Sequence, residues 1–364
     1  MRISDFELYH YSLPLVEPVK LSAGTIHHRE GLLLKLDGDN GSIGWGESAP
    51  LPGFSAESLD EAEESLQAAA SSLTGYELQG DTYEIREKLN AELERLKLPS
   101  SVRFGCELAV WNLCAASQGI SLVEWMFPKS RRVVPLNGLL FGEVEEVLES
   151  ASRMREDGYS AIKLKVGKRS VEEDVDLVNA LRRVLGEDMS LRLDANRACS
   201  FEEAIRFGQG IAGVGIEYVE EPLTDASLLS HLARESGLPV ALDESLVGME
   251  PASLEQHRYA VAIVLKPTLI GGLSKTLHFA ETASRLGMST VISSTYESGI
   301  GILALIALAA GTGDQAVPAG LDTYRSLAAD VLSPRLELPA PKVDVRASFR
   351  VNRELNEGSL DLIR

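Results

Sequence analysis

The chain has 364 residues, 45% apolar and 24% charged, too many for one ordinary core and about right for a barrel with a second domain. Its formal charge of −19, from 54 acidic against 35 basic residues, argues against nucleic acid and against an anionic membrane as partners, since both need clustered Lys and Arg. Cys106, Cys114 and Cys199 match neither a disulfide framework nor a zinc pattern, and the opening MRISDFELYHYSLPLVEP lacks the parts of a signal peptide, so a reduced cytoplasm is expected.

Residues 1–125 read as an α+β domain. Phe6–Leu13, Gly31–Asp37 and Ser42–Ala49 have strand patterning, the last two joined by a turn at Gly38-Asp39-Asn40-Gly41. Ser58 with Glu61 makes a capping box for a helix running to about Leu73. Tyr83–Leu96 places Ile85, Leu89 and Leu93 on one helical face, and Val102–Ala116 is apolar enough to be buried.

From about residue 126 to 333 the texture changes. Short apolar runs at 133–140, 161–166, 190–196, 216–222, 239–245, 260–267, 289–295 and 315–320 alternate with amphipathic stretches such as Ser170–Leu185 and Phe201–Ile211. Eight units of about 25 residues predict a parallel (β/α)8 barrel, a TIM-like α/β fold. An open doubly wound sheet is the alternative, but no GxGxxG follows the first strand. Residues 334–364 read as a strand-like return, LELPAPKVDVRASFRV, expected to pack on the first domain.

Polar residues gather at the C-terminal ends of the runs: Lys163 and Lys165, Asp194 and Asn196, Glu220 and Glu221, Asp243 and Glu244, Lys266, then Ser293 and Ser294. The steps Lys165–Asp194, Asp194–Glu220, Glu220–Asp243 and Asp243–Lys266 are 29, 26, 23 and 23 residues, each one barrel repeat. A barrel puts its active site at that rim. Converging carboxylates repel and raise one another's pKa unless a cation joins them, and hard oxygen ligands suit Mg²⁺ or Mn²⁺. The alternative is that each carboxylate is a surface cap at a strand-to-helix turn. Lys163 and Lys165 alternate with Ile162, Leu164 and Val166, so both lysines point into the barrel. A lysine beside a metal and a second cation has a lowered pKa and can act as a base.

These residues resemble the enolase superfamily, in its muconate lactonizing enzyme subgroup: K-x-K at Lys163/Lys165, D-A-N at Asp194–Asn196, V-E-E-P at Val219–Pro222, D-E-S at Asp243–Ser245 and K-P at Lys266–Pro267. The resemblance implies that Asp194, Glu220 and Asp243 bind Mg²⁺, with Mn²⁺ as an alternative, and that Asn196, Glu221 and Glu244 stand behind them. It also implies that Lys165 and Lys266 are the acid/base lysines, Lys163 an auxiliary cation, and residues 1–125 a capping domain. Its specificity loops would be Leu21–Arg29 and Ala49–Phe54, although ordinary Gly/Pro connections read the same way. His27, His28 and Arg29 would hold an anionic substrate end or sit solvated. Trp45-Gly46-Glu47 resembles the family's usual strand before the second loop, a structural role.

Finer marks, KPTLIGGL (266–273), SSTYESGIG (293–301) and GLDT (320–323), look most like the o-succinylbenzoate synthase family of menaquinone biosynthesis. That resemblance implies a small carboxylate substrate, dehydrated next to its carboxylate. Ser293, Ser294, Glu297, Ser298 and Gly301 would then receive a second carboxylate at a helix N-terminus. The competing reading of each serine is a helix cap. N-succinylamino acid racemases and dipeptide epimerases share the metal and both lysines. The latter carry a D-x-D pair that Leu321-Asp322-Thr323-Tyr324 lacks. A non-catalytic barrel that binds metal and small carboxylates is the remaining alternative, and a homo-oligomer is left open.

Overall fold

The computed structural model describes residues 1–364 except 22, 314, 315, 352 and 353, and leaves the side chain of 357 undescribed. Its first part is a sheet of β1 (Ile3–Leu21), β2 (Gly24–Gly38) and β3 (Ile43–Ser48), followed by α1 (Leu59–Leu73), α2 (Thr82–Leu96), α3 (Ser100–Ser117) and α4 (Leu122–Met126). The capping box at Ser58 and Glu61 forms at the start of α1 as its spacing predicts. Strand β3 carries glycines because α3 lies directly on it: a β-carbon on Gly44 or Gly46 would fall 2.1 or 1.9 Å from the carbonyl oxygens of Ala109 or Gly105.

The expected loop Leu21–Arg29 is instead the tip of the β1–β2 hairpin. Val19 pairs with Ile26 and Pro14 with His28, so β-branched Thr25 and Ile26 extend the ladder. Ser22, within that segment, lies outside the described residues.

The second part runs β4 (Val133–Pro135), β5 (Gly138–Leu140), α5 (Val144–Glu156), β6 (Ala161–Lys165), α6 (Val171–Leu185), β7 (Ser190–Asp194), α7 (Phe201–Gly210), β8 (Tyr218–Glu220), α8 (Leu229–Ser236), β9 (Val240–Leu242), β10 (Ala260–Leu265), α9 (Pro267–Ile270), α10 (Leu273–Leu286), β11 (Ser289–Ile292) and α11 (Gly299–Gly311). Strands β5 to β11 form one parallel sheet in sequence order. Of the expected eighth run, Gln315 lies outside the described residues, while Ala319 bridges Leu136 and Gly320 bridges Ser293, both in parallel sense. Helix α6 buries Leu177, Leu181 and Leu185 against Ile162, Leu164, Leu191 and Leu193, each contact set worth about 1.5–3 kcal/mol per fully buried side chain as an upper bound. That face of β6 belongs to the helices, which leaves Lys163 and Lys165 on the other.

The tail contains β12 (Leu332–Ser333), β13 (Lys342–Asp344), α12 (Val345–Arg350), β14 (Glu354–Leu355) and β15 (Leu360–Leu362). Val345–Arg350, within the expected strand-like return, is therefore helical, because the Asp344 side chain accepts from Ala347 N at 2.9 Å and starts a turn. β13 pairs with β4, and β15 adds an antiparallel edge to β1. Among the described residues no helix is long and apolar enough to cross a membrane.

Candidate active site

Strand register assembles the site. Lys163 pairs with Arg192 and Lys165 with Asp194 across β6–β7, and Asp194 pairs with Glu220 across β7–β8. Lys165, Asp194 and Glu220 thus form one row, with Asp243 and Lys266 following β9 and β10. All three carboxylates are buried.

The lysines and carboxylates interleave. Lys163 Nζ lies 2.9 Å from Asp194 Oδ2 and donates to Glu220 Oε1 at 2.8 Å. Lys165 Nζ donates to Asp194 Oδ2 and to Asn196 Oδ1, both at 2.6 Å. Lys266 Nζ donates to Asp243. Burial works against the Lys163 and Lys266 charges, but the surrounding carboxylates outweigh it and hold both ammonium groups above their usual range. For Asp194 burial is likewise overcome, by Lys163 first, and its carboxyl is held well below the ordinary value. Glu220 goes the other way, pushed up by burial and then by the Asp194 charge.

Neighbouring acids in the E-E and D-E pairs have different surroundings. Glu220 faces the lysines. Glu221, with φ 40°, turns aside and accepts from Asp243 N at 3.0 Å, Ser245 N at 2.7 Å, Ser245 Oγ at 2.9 Å and Arg197 Nε at 3.2 Å. It fixes the backbone that carries Asp243. Glu244 accepts from Asn196 Nδ2 at 3.0 Å, so Asn196 links it to Lys165.

Whether these residues suit a divalent cation can be judged from the donors themselves. Glu220 Oε2 is buried without a hydrogen-bond partner; it lies 2.8 Å from Lys163 Nζ at an angle that makes no hydrogen bond. Hard, buried carboxylate oxygens of this kind are what Mg²⁺ takes. Among the described residues, however, no three acidic, His or Cys side chains are gathered as a ready cage. Ammonium groups stand between the acids and neutralise them. The donor set fits the ion, and its arrangement is the lysine-neutralised one.

The second-carboxylate site expected after β11 is filled by the protein itself. At the start of α11, Ser298 N and Gly301 N donate to Glu47, each at 2.8 Å, Ser298 Oγ donates to it at 2.9 Å, and Gly299 N donates to Asp330 at 2.8 Å. Glu297 is buried and accepts from Thr268 Oγ1 at 2.8 Å and Thr295 Oγ1 at 2.6 Å. Ser298 and Gly301 are therefore cap-to-barrel contacts, because a helix N-terminus takes the nearest carboxylate, while Glu297 is tied within the barrel. Ser293 and Ser294 line the mouth, donating to Gly320 O at 3.3 and 3.1 Å.

Arg29 bridges the capping loop and the barrel. Buried at 2% exposure, its guanidinium donates to the carbonyls of Tyr296 at 3.2 Å, Glu30 and Pro50 at 2.8 Å each, and Ala49. It clamps the Ala49–Phe54 loop to the barrel rather than meeting a substrate. His27 and His28 are exposed on β2. The sequence reading missed Glu47 as a docking group and Tyr296 altogether. Tyr296 has φ 63°, and no residue-type signal marks a non-glycine left-handed position in advance.

The enolase C-terminal domain-like family (MR_MLE_C) matches residues 146–348, and the MenC N-terminal domain family matches residues 3–113. The o-succinylbenzoate synthase of Pectobacterium atrosepticum is 33% identical over 331 residues, 89% of this chain and 92% of that one. The chloroplastic protein PHYLLO of Arabidopsis thaliana is 35% identical over 341 residues, which is 84% of this chain but 20% of PHYLLO, so the chain spans about a fifth of that protein. Among solved structures, the dipeptide epimerase from Enterococcus faecalis V583, complexed with Mg and the dipeptide L-Leu-L-Tyr, has a TM-score of 0.83 at 22% identity, covering 95% of this chain and 97% of that one.

Proposed function

We propose, because the chain belongs to the o-succinylbenzoate synthases of the enolase superfamily, that it is a lyase dehydrating 2-succinyl-6-hydroxy-2,4-cyclohexadiene-1-carboxylate to o-succinylbenzoate. The observation that carries the chemistry is the row Lys165–Asp194–Glu220 with Asp243 and Lys266 beyond it: two lysines and three buried acids on adjacent strand ends.

Asp194, Glu220 and Asp243 would hold Mg²⁺ (or Mn²⁺), which when bound supplies positive charge to the substrate's ring carboxylate and makes its α-proton more acidic. Lys165 Nζ, as the neutral amine, takes the α-proton and becomes an ammonium, and the electron pair passes into the carboxylate. The same ammonium then returns that proton to the departing C6 hydroxyl, so water leaves and the ring becomes aromatic. Lys266, held charged against Asp243, stabilises the negative charge that develops between the two steps. Asn196, touching Lys165 and Glu244, orients the base. Lys163 neutralises Asp194 and Glu220 from below.

In the same reading residues 1–125 cap a barrel of residues 126–333, and residues 334–364 return to the cap. The bridges of Ala319 and Gly320 to Leu136 and Ser293 support closure of the parallel sheet into a (β/α)8 barrel. Cys106, Cys114 and Cys199 remain free thiols, in keeping with a reducing, cytoplasmic setting. The test is a comparison of kcat/KM for the cyclohexadiene substrate with L-Ala-L-Xaa dipeptides and N-succinyl amino acids. A dipeptide or succinyl amino acid preferred by more than about tenfold, roughly 1.4 kcal/mol, overturns the substrate assignment.

A further inference from the structure

The end of the K-x-K strand is held by a side chain from outside the sheet. Lys165 is the last residue of β6; Val166 N still donates to Asp194 O at 2.9 Å, and the chain then turns away at Gly167, φ 83°. The Gly167 N–H donates to Asp174 Oδ2 at 2.6 Å. Asp174 lies in the first turn of α6 and is buried, at 3% exposure. Burial pushes its carboxyl up, and the Gly167 N–H and Arg169 work against that rise. Its other oxygen has no hydrogen-bond partner among the described residues, with Arg169 Nη1 3.6 Å away.

Gly167 packs on the turn that carries Asn196. A β-carbon added to it would fall 2.6 Å from the β-carbon of Ala198. Within that turn Asn196 and Arg197 take φ 43° and 60°, values that a β-carbon disfavours, so the turn needs support from its neighbours. Lys165 Nζ donates to Asn196 Oδ1 at 2.6 Å, so the lysine and its polar partner leave the wall on either side of the Gly167 contact. Behind it lies a cavity of about 170 Å³, lined by Val166, Gly167, Asp174, Ala195 and Ala198 among others. Close packing is therefore incomplete on that side, and the hydrogen bond to Asp174 is what restrains the strand end.

We propose that Asp174 is a positioning residue: its carboxylate pins Gly167 and through it sets where Lys165 Nζ meets the α-proton. The inference rests on the dehydration reading above, in which Lys165 is the base. A catalytic group misplaced by about 1 Å can cost about 100-fold in rate, so loss of the pin should cost about 10- to 100-fold. An acid in a first turn also steadies its helix, but that role alone would lower Tm and leave kcat unchanged.

The experiment compares full-length Asp174→Ala and Asp174→Asn with wild type, with Mg²⁺ and the cyclohexadiene substrate, well below each Tm. Asp174→Ala should lose about 10- to 100-fold in kcat with KM within about threefold. Asn keeps an acceptor for Gly167 N, so Asp174→Asn should stay within about threefold of wild type in kcat. Amide hydrogen exchange reads the pin without turnover: Gly167 N–H should exchange at least about tenfold faster in Asp174→Ala than in Asp174→Asn. Where Asp174→Ala does not fold, Asp174→Leu, which lacks the acceptor but fills the cavity, carries the same test. A kcat within about twofold of wild type in the variant without an acceptor overturns the inference. So does a loss carried by KM alone, or an Asp174→Asn enzyme as slow as Asp174→Ala, since either separates turnover from the Gly167 hydrogen bond. These outcomes leave the dehydration reading standing; a wild-type chain that leaves the substrate unconverted refutes that reading, and this inference with it.

Discussion

Removing the Glu47 carboxylate should loosen the capping domain's hold on α11. Glu47 is fully buried and accepts from Tyr11 Oη at 2.5 Å and Ser298 N at 2.8 Å on one oxygen, and from Ser298 Oγ at 2.9 Å and Gly301 N at 2.8 Å on the other. In Glu47→Ala the two hydroxyls can rotate to other acceptors, but the two backbone N–H groups cannot. Each stranded donor costs about 1–3 kcal/mol, and the lost interaction with the helix N-terminus adds about 0.3–1 kcal/mol. Relief of the carboxylate's desolvation offsets part of this, so we expect a net loss of about 3–5 kcal/mol. Glu47→Gln keeps one acceptor oxygen but turns an NH₂ towards N–H donors, for about 1–3 kcal/mol. Urea unfolding followed by the fluorescence of Trp45, Trp111 and Trp125 reads both shifts at constant m-value. A Glu47→Ala loss below about 1 kcal/mol would refute the reasoning, because the same donors would then have found other partners.

Asp194→Asn, Glu220→Gln and Asp243→Asn should each weaken Mn²⁺ binding, measured by electron paramagnetic resonance, and lower activity; full turnover after chelation sinks the metal reading. In D₂O, substrate recovered from slow Lys266→Ala enzyme should carry α-deuterium and that from Lys165→Ala none; the opposite pattern reverses the two roles. Serine hydrogen bonds hold Glu61, Glu124, Glu173 and Glu203 below the ordinary 4.5 in their capping boxes. A carboxyl lowered in the folded state gives stability that is complete above the unfolded value and lost as pH falls through the folded one. Stability should therefore drop on acidification below about pH 4.5, and replacing these four with Gln should flatten that drop in thermal melts; an unchanged slope counts against the boxes.

What could be read in the sequence was whatever repeats with a fixed period. Lys163 and Lys165 alternate with apolar neighbours, and one barrel repeat separates Lys165, Asp194 and Glu220, so strand phase alone puts them in a row. The capping box at Ser58 was equally local. Residues that depend on a partner distant in sequence carry no such period. Gly301 and Ser298 look like an open anion site until Glu47, from 254 and 251 positions earlier, fills it. Arg29 looks like a substrate clamp until Tyr296, 267 residues later, takes its Nε–H. The β1–β2 tip reads as a loop because Gly24 and two histidines mask a pairing that only register reveals.

Charge balance explains how a chain of net −19 takes a dianion. Lys163, Lys165 and Lys266 face Asp194, Glu220 and Asp243 at hydrogen-bond distance, so the mouth is close to neutral on its own. Two substrate carboxylates brought there meet no net attraction, and each unit charge about 4 Å from another is worth roughly 4 kcal/mol at an effective dielectric of 20. A divalent cation held by the three acids would restore the balance for one dianion. Arg29 of the capping domain keeps its charge but directs its N–H groups at backbone carbonyls, and Glu47 is taken up by α11.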